Sequence, residues 1–189
     1  MARVLELDPF LTPEASQVLL EGVRAKLGVV PNMFRVLGNS PAALKAYLDM
    51  SAALGGGSFS AKRREQIALT VAEANQCAYC LSAHSFVGAR VGLTAPEIAD
   101  ARRAEATEVA TDAVLKLARR LVVQRGEIDD AGLAQARVAG LTDGEILETV
   151  GNVALNIFTN YVNHLADTTV DFPAVRPGHA VHSPACDCG

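Results

Sequence analysis

Helix-start signals recur along this chain, and between them no useful stretch alternates polar and apolar residues at period two. Thr12-Pro13 and Ser40-Pro41 each pair a capping residue with a first-turn proline. Ser60 precedes "AKRREQIALTVAEA", while Thr94/Glu97 and Thr142/Glu145 have capping-box spacing. Gly28 and the run Gly55-Gly56-Gly57 stop the first helices, and Gly126 ends the long stretch "TEVATDAVLKLARRLVVQRG". The last helix spans about 143–169, where Ile146, Val150, Val153, Ile157 and Tyr161 recur at i+3/i+4 steps and predict one buried face. The fold class is therefore all-α. From Asp171 onward, "DFPAVRPGHAVHSPACDCG" holds three prolines and two glycines and reads as an extended tail outside the helical core. The division is a helical domain at 1–172 and a tail at 173–189.

Half of the 189 residues are hydrophobic, enough for a sizeable core. The net charge of −4, with no Trp and three Tyr, excludes the basic, base-stacking surface of a nucleic-acid binder. No apolar run reaches the roughly 20 residues of a membrane span. The start, "MARVLELDPFLTPE", lacks the pattern of a signal peptide. The expected location is cytoplasmic. In that reducing compartment, paired cysteines are more often catalytic or metal-binding than structural.

The stretch "EANQCAYCLSAH" spaces Cys77, Cys80 and His84 at i, i+3, i+7, so a helix would carry all three on one face. If the preceding helix ends near Ala74, Asn75 is the expected N-cap of the next, with Cys77 in its first turn. The helix N-terminus and a nearby histidine both favour a thiolate. Glu65 lies twelve positions before Cys77. On one straight helix it would point about 120° away, and it approaches His84 only if the chain breaks near Asn75. Glu73 reads equally as a second carboxylate or as a solvated end-of-helix residue.

"REQIALTVAEANQCAYCLSAH" resembles the signature of the alkyl hydroperoxidase D (AhpD)-like proteins of the carboxymuconolactone decarboxylase superfamily: a glutamate, eleven residues, then C-x-x-C-x-x-x-H. Glu65, Cys77, Cys80 and His84 match it position by position. "LGVVPNMFRVLGNSPAAL" and "NYVNHLADTTVDFP" are similar to the peroxidase-related branch, so the likeness covers roughly 20–173. It implies an AhpD-like multihelical bundle in a homo-oligomer, commonly a trimer or hexamer. It implies no bound cofactor or metal, a hydroperoxide substrate, and resetting by an external thiol reductant or reductant protein, a dihydrolipoamide-type dithiol in parts of the family. Glu65 would orient His84, and His84 would take the proton of Cys80. A thiolate would open the hydroperoxide, and the sulfenic acid would condense to a Cys77–Cys80 disulfide. The helix-start argument favours Cys77 as the attacking sulfur and the histidine argument favours Cys80. Cys80 is preferred, with Cys77 resolving, and the reverse assignment stays open.

Other readings stand beside this one. The same dithiol serves a general thiol–disulfide oxidoreductase. A cofactor-free lactone decarboxylase is the superfamily's other activity, although those members lack the C-x-x-C pair. A zinc-binding structural or regulatory protein would use Cys77, Cys80 and His84, with His164 or a tail cysteine as fourth ligand. His164 lies on the apolar stripe and reads first as a hydrogen-bonded core residue. Asn156, Asn160 and Asn163 either line a pocket or bond between helices, and Tyr79 either packs or shapes the approach to the sulfurs. His179, His182, Cys186 and Cys188 form a metal-binding or second dithiol candidate, with a loosely held tail as the preferred account.

Overall fold

A computed structural model describes residues 2–8 and 12–178. Among these, nine helices and no strand follow in order: α1 (Glu14–Leu27), α2 (Asn32–Leu37), α3 (Pro41–Gly55), α4 (Ala61–Ala74), α5 (Ala78–Arg90), α6 (Ala95–Arg102), α7 (Val109–Val123), α8 (Asp130–Val138) and α9 (Asp143–Ala166). None of them is long and apolar enough to cross a membrane. Ser40 and Ser60 accept from the N–H groups of Ala43 and Arg63, and Thr94 and Thr142 each close a reciprocal capping box. These satisfy helix-end donors that would otherwise lack partners. At α1 the cap position falls to Pro13 instead of Thr12. The short α8 was not legible in the sequence; Asp129 opens it by accepting from Gly132 N at 2.9 Å.

The core is built around α4, which packs against α5, α6, α7 and α9 and is buried without interruption over 66–73. Its entry is fixed from a distance. Glu148 of α9 accepts hydrogen bonds from Ser58 N, Ser58 Oγ and Phe59 N at 2.9, 2.7 and 3.0 Å. Burial opposes charge on Glu148, but the Ser58 and Phe59 bonds and Arg64 outweigh it and hold the carboxyl below its usual range. Gly57 makes this approach possible: a Cβ there would collide with the Glu148 carboxylate.

α9 departs from the expected stripe. Ile146 and Val153 are buried and Ile157 is partly so, but Val150 and Tyr161 are exposed. The buried face is polar instead, made by Thr149, Asn152, Asn156, Thr159, Asn160 and Asn163. Thr149, Asn152 and Asn156 each donate to the helix carbonyl four residues back, at 2.8 Å, so these side chains enter the core with donors satisfied. The outer face carries exposed Leu147, Val150, Phe158, Tyr161 and Leu165. The expected stripe is therefore split: Ile146, Val153 and Ile157 turn inward, while Val150 and Tyr161 turn outward.

Beyond α9, Asp167 turns in the left-handed region (φ 51°) and the chain runs on as an extended strap. Residues 171–178 do not lie outside the helical body, as their composition had indicated. Asp171 accepts from Tyr79 and from Asn32 N, both at 2.8 Å, and Phe172 packs against Tyr79 and Phe86. Val175 N bonds Ser82 Oγ at 2.9 Å, and Gly178 N bonds Glu73 Oε1 at 2.8 Å. Proline keeps such a segment extended without detaching it. Glu73 is correspondingly not a solvated helix end: it is buried and ion-paired with Arg102 Nε at 2.7 Å. His179, His182, Cys186 and Cys188 lie outside the described residues.

Removing one partner of a buried ion pair leaves the other uncompensated. Arg102→Ala is therefore expected to destabilise the protein by about 3 kcal/mol, read as a lower urea midpoint. Urea unfolding with an unchanged midpoint would show that the strap and this pair contribute little.

Candidate active site

The site is built where α4 ends and α5 begins. Asn75 is not the N-cap of α5 but the C-cap of α4, because its side chain is engaged elsewhere: Nδ2 donates to Asn160 Oδ1 at 2.9 Å. Gln76 takes a positive φ of 56° and reverses the chain. Cys77 then occupies the N-cap of α5 itself, its sulfur accepting from Cys80 N at 3.3 Å. The two Cα atoms are 5.3 Å apart and the sulfurs lie at disulfide distance, the spacing a C-x-x-C pair needs to join.

The same reversal brings Glu65 back. It lies ten residues before Asn75 and His84 nine after, so the two meet across the helix pair, with His84 Nδ1 2.8 Å from Glu65 Oε2. The carboxylate accepts, so Nδ1 carries the proton and, in the neutral ring, Nε2 is the free base. Asn163 reaches over from α9 and donates from Nδ2 to Cys80 Sγ at 3.3 Å. Its Oδ1 is buried without a partner. Glu65, Cys77, Cys80 and His84 thus share one locality, and Asn163 joins them.

Glu65, Cys80, His84 and Asn163 line a cavity of about 480 Å³ whose wall is mainly apolar and aromatic; Cys77 is not on that wall. Both cysteines are nearly inaccessible, Cys77 at 1% and Cys80 at 2%. Behind the Glu65–His84 pair is a smaller cavity of about 100 Å³, which Asn156 lines. Tyr79 closes the main cavity from one side. Its hydroxyl accepts from Met33 N at 3.1 Å and donates to Asp171. Burial drives its pKa far above the ordinary phenol value; the Met33 bond opposes this and the Asp171 charge adds to it. It stays neutral and acts as a wall.

Tyr47, on α3, was missed in the sequence, where it reads as one more apolar position. It lines both cavities. Desolvation first and the Glu65 charge second push its phenol up to about 12, against a Ser51 bond. His164 is exposed, not on a buried stripe, and its Nε2 donates to Asn75 O at 2.9 Å. It steadies the α4–α5 turn instead of reaching the sulfurs.

Residues 41–124, which contain all four motif residues, match the Carboxymuconolactone decarboxylase family. The AhpD-like fold extends well beyond that segment. A crystal structure of an alkylhydroperoxidase AhpD core, an uncharacterized peroxidase-related protein from Ralstonia eutropha JMP134, is similar with a TM-score of 0.81 at 22% identity, over 90% of this chain and 92% of that one. An uncharacterized peroxidase-related protein from Silicibacter sp. TM1040 gives 0.76 at 24% identity, over 88% and 89%. The apo debrominase Bmp8 gives 0.71 at 18%, over 84% and 87%. At these identities the likeness is one of fold. No curated protein matches the chain in sequence.

A hydrogen bond to a charged group is worth about 1.5–3 kcal/mol. Asn163→Ala is thus expected to slow alkylation of Cys80 by iodoacetamide in the reduced protein about tenfold at neutral pH. Mass spectrometry of the labelled peptide reads this. An unchanged rate would mean that Asn163 does not support the thiolate.

Proposed function

We propose that the protein is a thiol-dependent peroxidase that reduces organic hydroperoxides through the Cys77–Cys80 dithiol. The observation that carries this reading is Cys80 on the wall of an apolar cavity, with Cys77 at disulfide reach behind it and the Glu65–His84 pair beside it. His84 Nε2 takes the Cys80 proton, and Glu65 holds the ring in that tautomer and stabilises its charge. The Cys80 thiolate attacks the terminal oxygen of ROOH. An S–O bond forms, the O–O bond breaks, and RO⁻ leaves with the proton from His84. Cys77 then displaces hydroxide from the sulfenic acid, giving a disulfide and water. The sum is ROOH plus two thiols to ROH, water and a disulfide. An external dithiol, of dihydrolipoamide type in the proposed cytoplasmic setting, restores the pair by exchange.

The placement of the sulfurs supports Cys80 as attacker and Cys77 as resolver. Cys77 Sγ is turned into the helix cap, where it accepts from a backbone N–H, and Cys77 is not on the wall of the main cavity. Deep burial of both sulfurs favours small substrates over protein disulfides, against a general oxidoreductase. A lactone decarboxylase would leave the dithiol without a task. For a zinc site, no three of His, Cys, Asp and Glu converge as metal ligands among the described residues.

Turnover of cumene hydroperoxide with dithiothreitol tests the chemistry. Cys77→Ser and Cys80→Ser are expected to lose nearly all activity, and His84→Ala and Glu65→Gln to lose roughly 10²–10⁴-fold. Full activity in Cys80→Ser would end this reading.

The proposal includes a homo-oligomer, trimeric or hexameric by the family resemblance, formed over the outer face of α9. Its exposed apolar positions 147, 150, 154, 158, 161 and 165 follow three- and four-residue steps, and no Asp, Glu, Lys or Arg occurs over 149–166. Such a face suits a second copy of this chain. Light scattering on the wild type is expected to give a multiple of 19.8 kDa, and Phe158→Glu with Leu165→Glu to give the monomer. A monomeric wild type would remove the interface.

A further inference from the structure

The cavity over Cys80 is lined mainly by apolar side chains, yet two cations stand on its wall without an acid to answer them. Lys26 comes from the last turn of α1 and Arg90 from the last turn of α5; both are exposed and both line the cavity. Among the described residues neither takes part in an ion pair. The carboxylate on the same wall, Glu65, is committed to His84. A basic residue suits a helix C-terminus on electrostatic grounds alone. That does not account for two such residues from different helices converging on one apolar cavity. Nor does it account for Arg90 lying back along its helix, its guanidinium carbon 4.2 Å from the centre of the Phe86 ring.

We propose that this cavity binds long-chain carboxylic acids, with the carboxylate held by Arg90 and Lys26 and the chain laid along Phe86 and Phe172 toward Cys80. On the peroxidase reading, on which the substrate assignment rests, the preferred substrates are fatty-acid hydroperoxides oxidised within the chain. Arg90 follows Cys80 by ten residues, roughly 15 Å along the helix axis. Its guanidinium is folded back over Phe86, six residues from Cys80, which shortens the span to roughly 9 Å. A peroxy group that far from a carboxylate needs a long acyl chain between them. A short alkyl hydroperoxide could not span both ends. The planar guanidinium offers the carboxylate two parallel N–H donors, and Lys26 adds a second charge. A volume of about 480 Å³ falls within the range of small-molecule sites.

The test compares linoleic acid hydroperoxide with its methyl ester, which differ in the charged end, using dithiothreitol as reductant. The wild type is expected to favour the acid about tenfold in kcat/KM. Lys26→Gln with Arg90→Gln should abolish that preference, and Arg90→Lys, which keeps the charge, should retain part of it. A second arm needs no turnover: oleate binding to the wild-type protein by calorimetry is expected to weaken about tenfold in the doubly neutral variant. Equal handling of acid and ester by the wild type, or a preference that survives both neutral substitutions, overturns the carboxylate site even if hydroperoxides are reduced. Charge-dependent oleate binding with no hydroperoxide turnover leaves the site standing and overturns the peroxidase reading. Because the wild-type comparison of acid with ester and the Arg90→Lys variant need no double substitution, a misfolded double variant would not shield the proposal.

Discussion

Everything near the dithiol depends on the reversal of the chain over 75–77. One residue in the left-handed region turns α4 back into α5. The turn is closed by Cys77 N bonding Ala72 O at 2.9 Å and is held from α9 by Asn160 and His164, which both bind Asn75. Without it Glu65 and His84 would sit on a continuous rod, facing different directions. With it, they meet at 2.8 Å and the cysteines fall at the start of a fresh helix. The turn also gives Cys77 two duties. The sulfur that can close the disulfide is also the acceptor that satisfies an otherwise orphaned N–H of α5. Opening the disulfide therefore leaves the helix end with its cap.

The Asn and Thr face of α9 is the second determinant. A helix that buries six Asn and Thr side chains beside Ile146 and Val153, and shows five large apolar ones, departs from the usual amphipathic arrangement. It is tolerated because several buried side chains return their donors to carbonyls of the same helix. Those that do not, Asn160 and Asn163, reach across to α4–α5 and bring polarity to the turn and to the sulfur. The inner face is thus spent on the site, and the apolar residues are left facing outward.

Local signals were the legible part of the sequence. Ser40, Ser60, Thr94 and Thr142 cap helices because a side-chain oxygen needs only its own next turn. The spacing of Cys77, Cys80 and His84 on one helix was legible for the same reason, and Glu65 became readable through a family pattern. What could not be read depended on partners distant in sequence. Asn75 looked like an N-cap until Asn160, eighty-five residues on, claimed its side chain. Glu73 could not be assigned between a second carboxylate and a solvated helix end, because its partners, Arg102 and Gly178, lie twenty-nine and one hundred and five residues away. The α9 stripe was half right: Ile146, Val153 and Ile157 turn inward but Val150 and Tyr161 do not, since apolar spacing could not show that Asn and Thr side chains would take much of the inner face. Tyr47 and the cations Lys26 and Arg90 carried no local signal, because only tertiary packing brings α1, α3 and α5 around one cavity.

The strap after α9 looks at first like trailing chain. Phe172, however, lies against Tyr79 and Phe86 and forms part of the wall above Cys80. The chamber in which the sulfur works is therefore finished only after the last helix has been laid down. During synthesis the motif emerges nearly a hundred residues before its own roof, so the nascent dithiol stays open to the surrounding solution until the carboxyl end arrives to cover it.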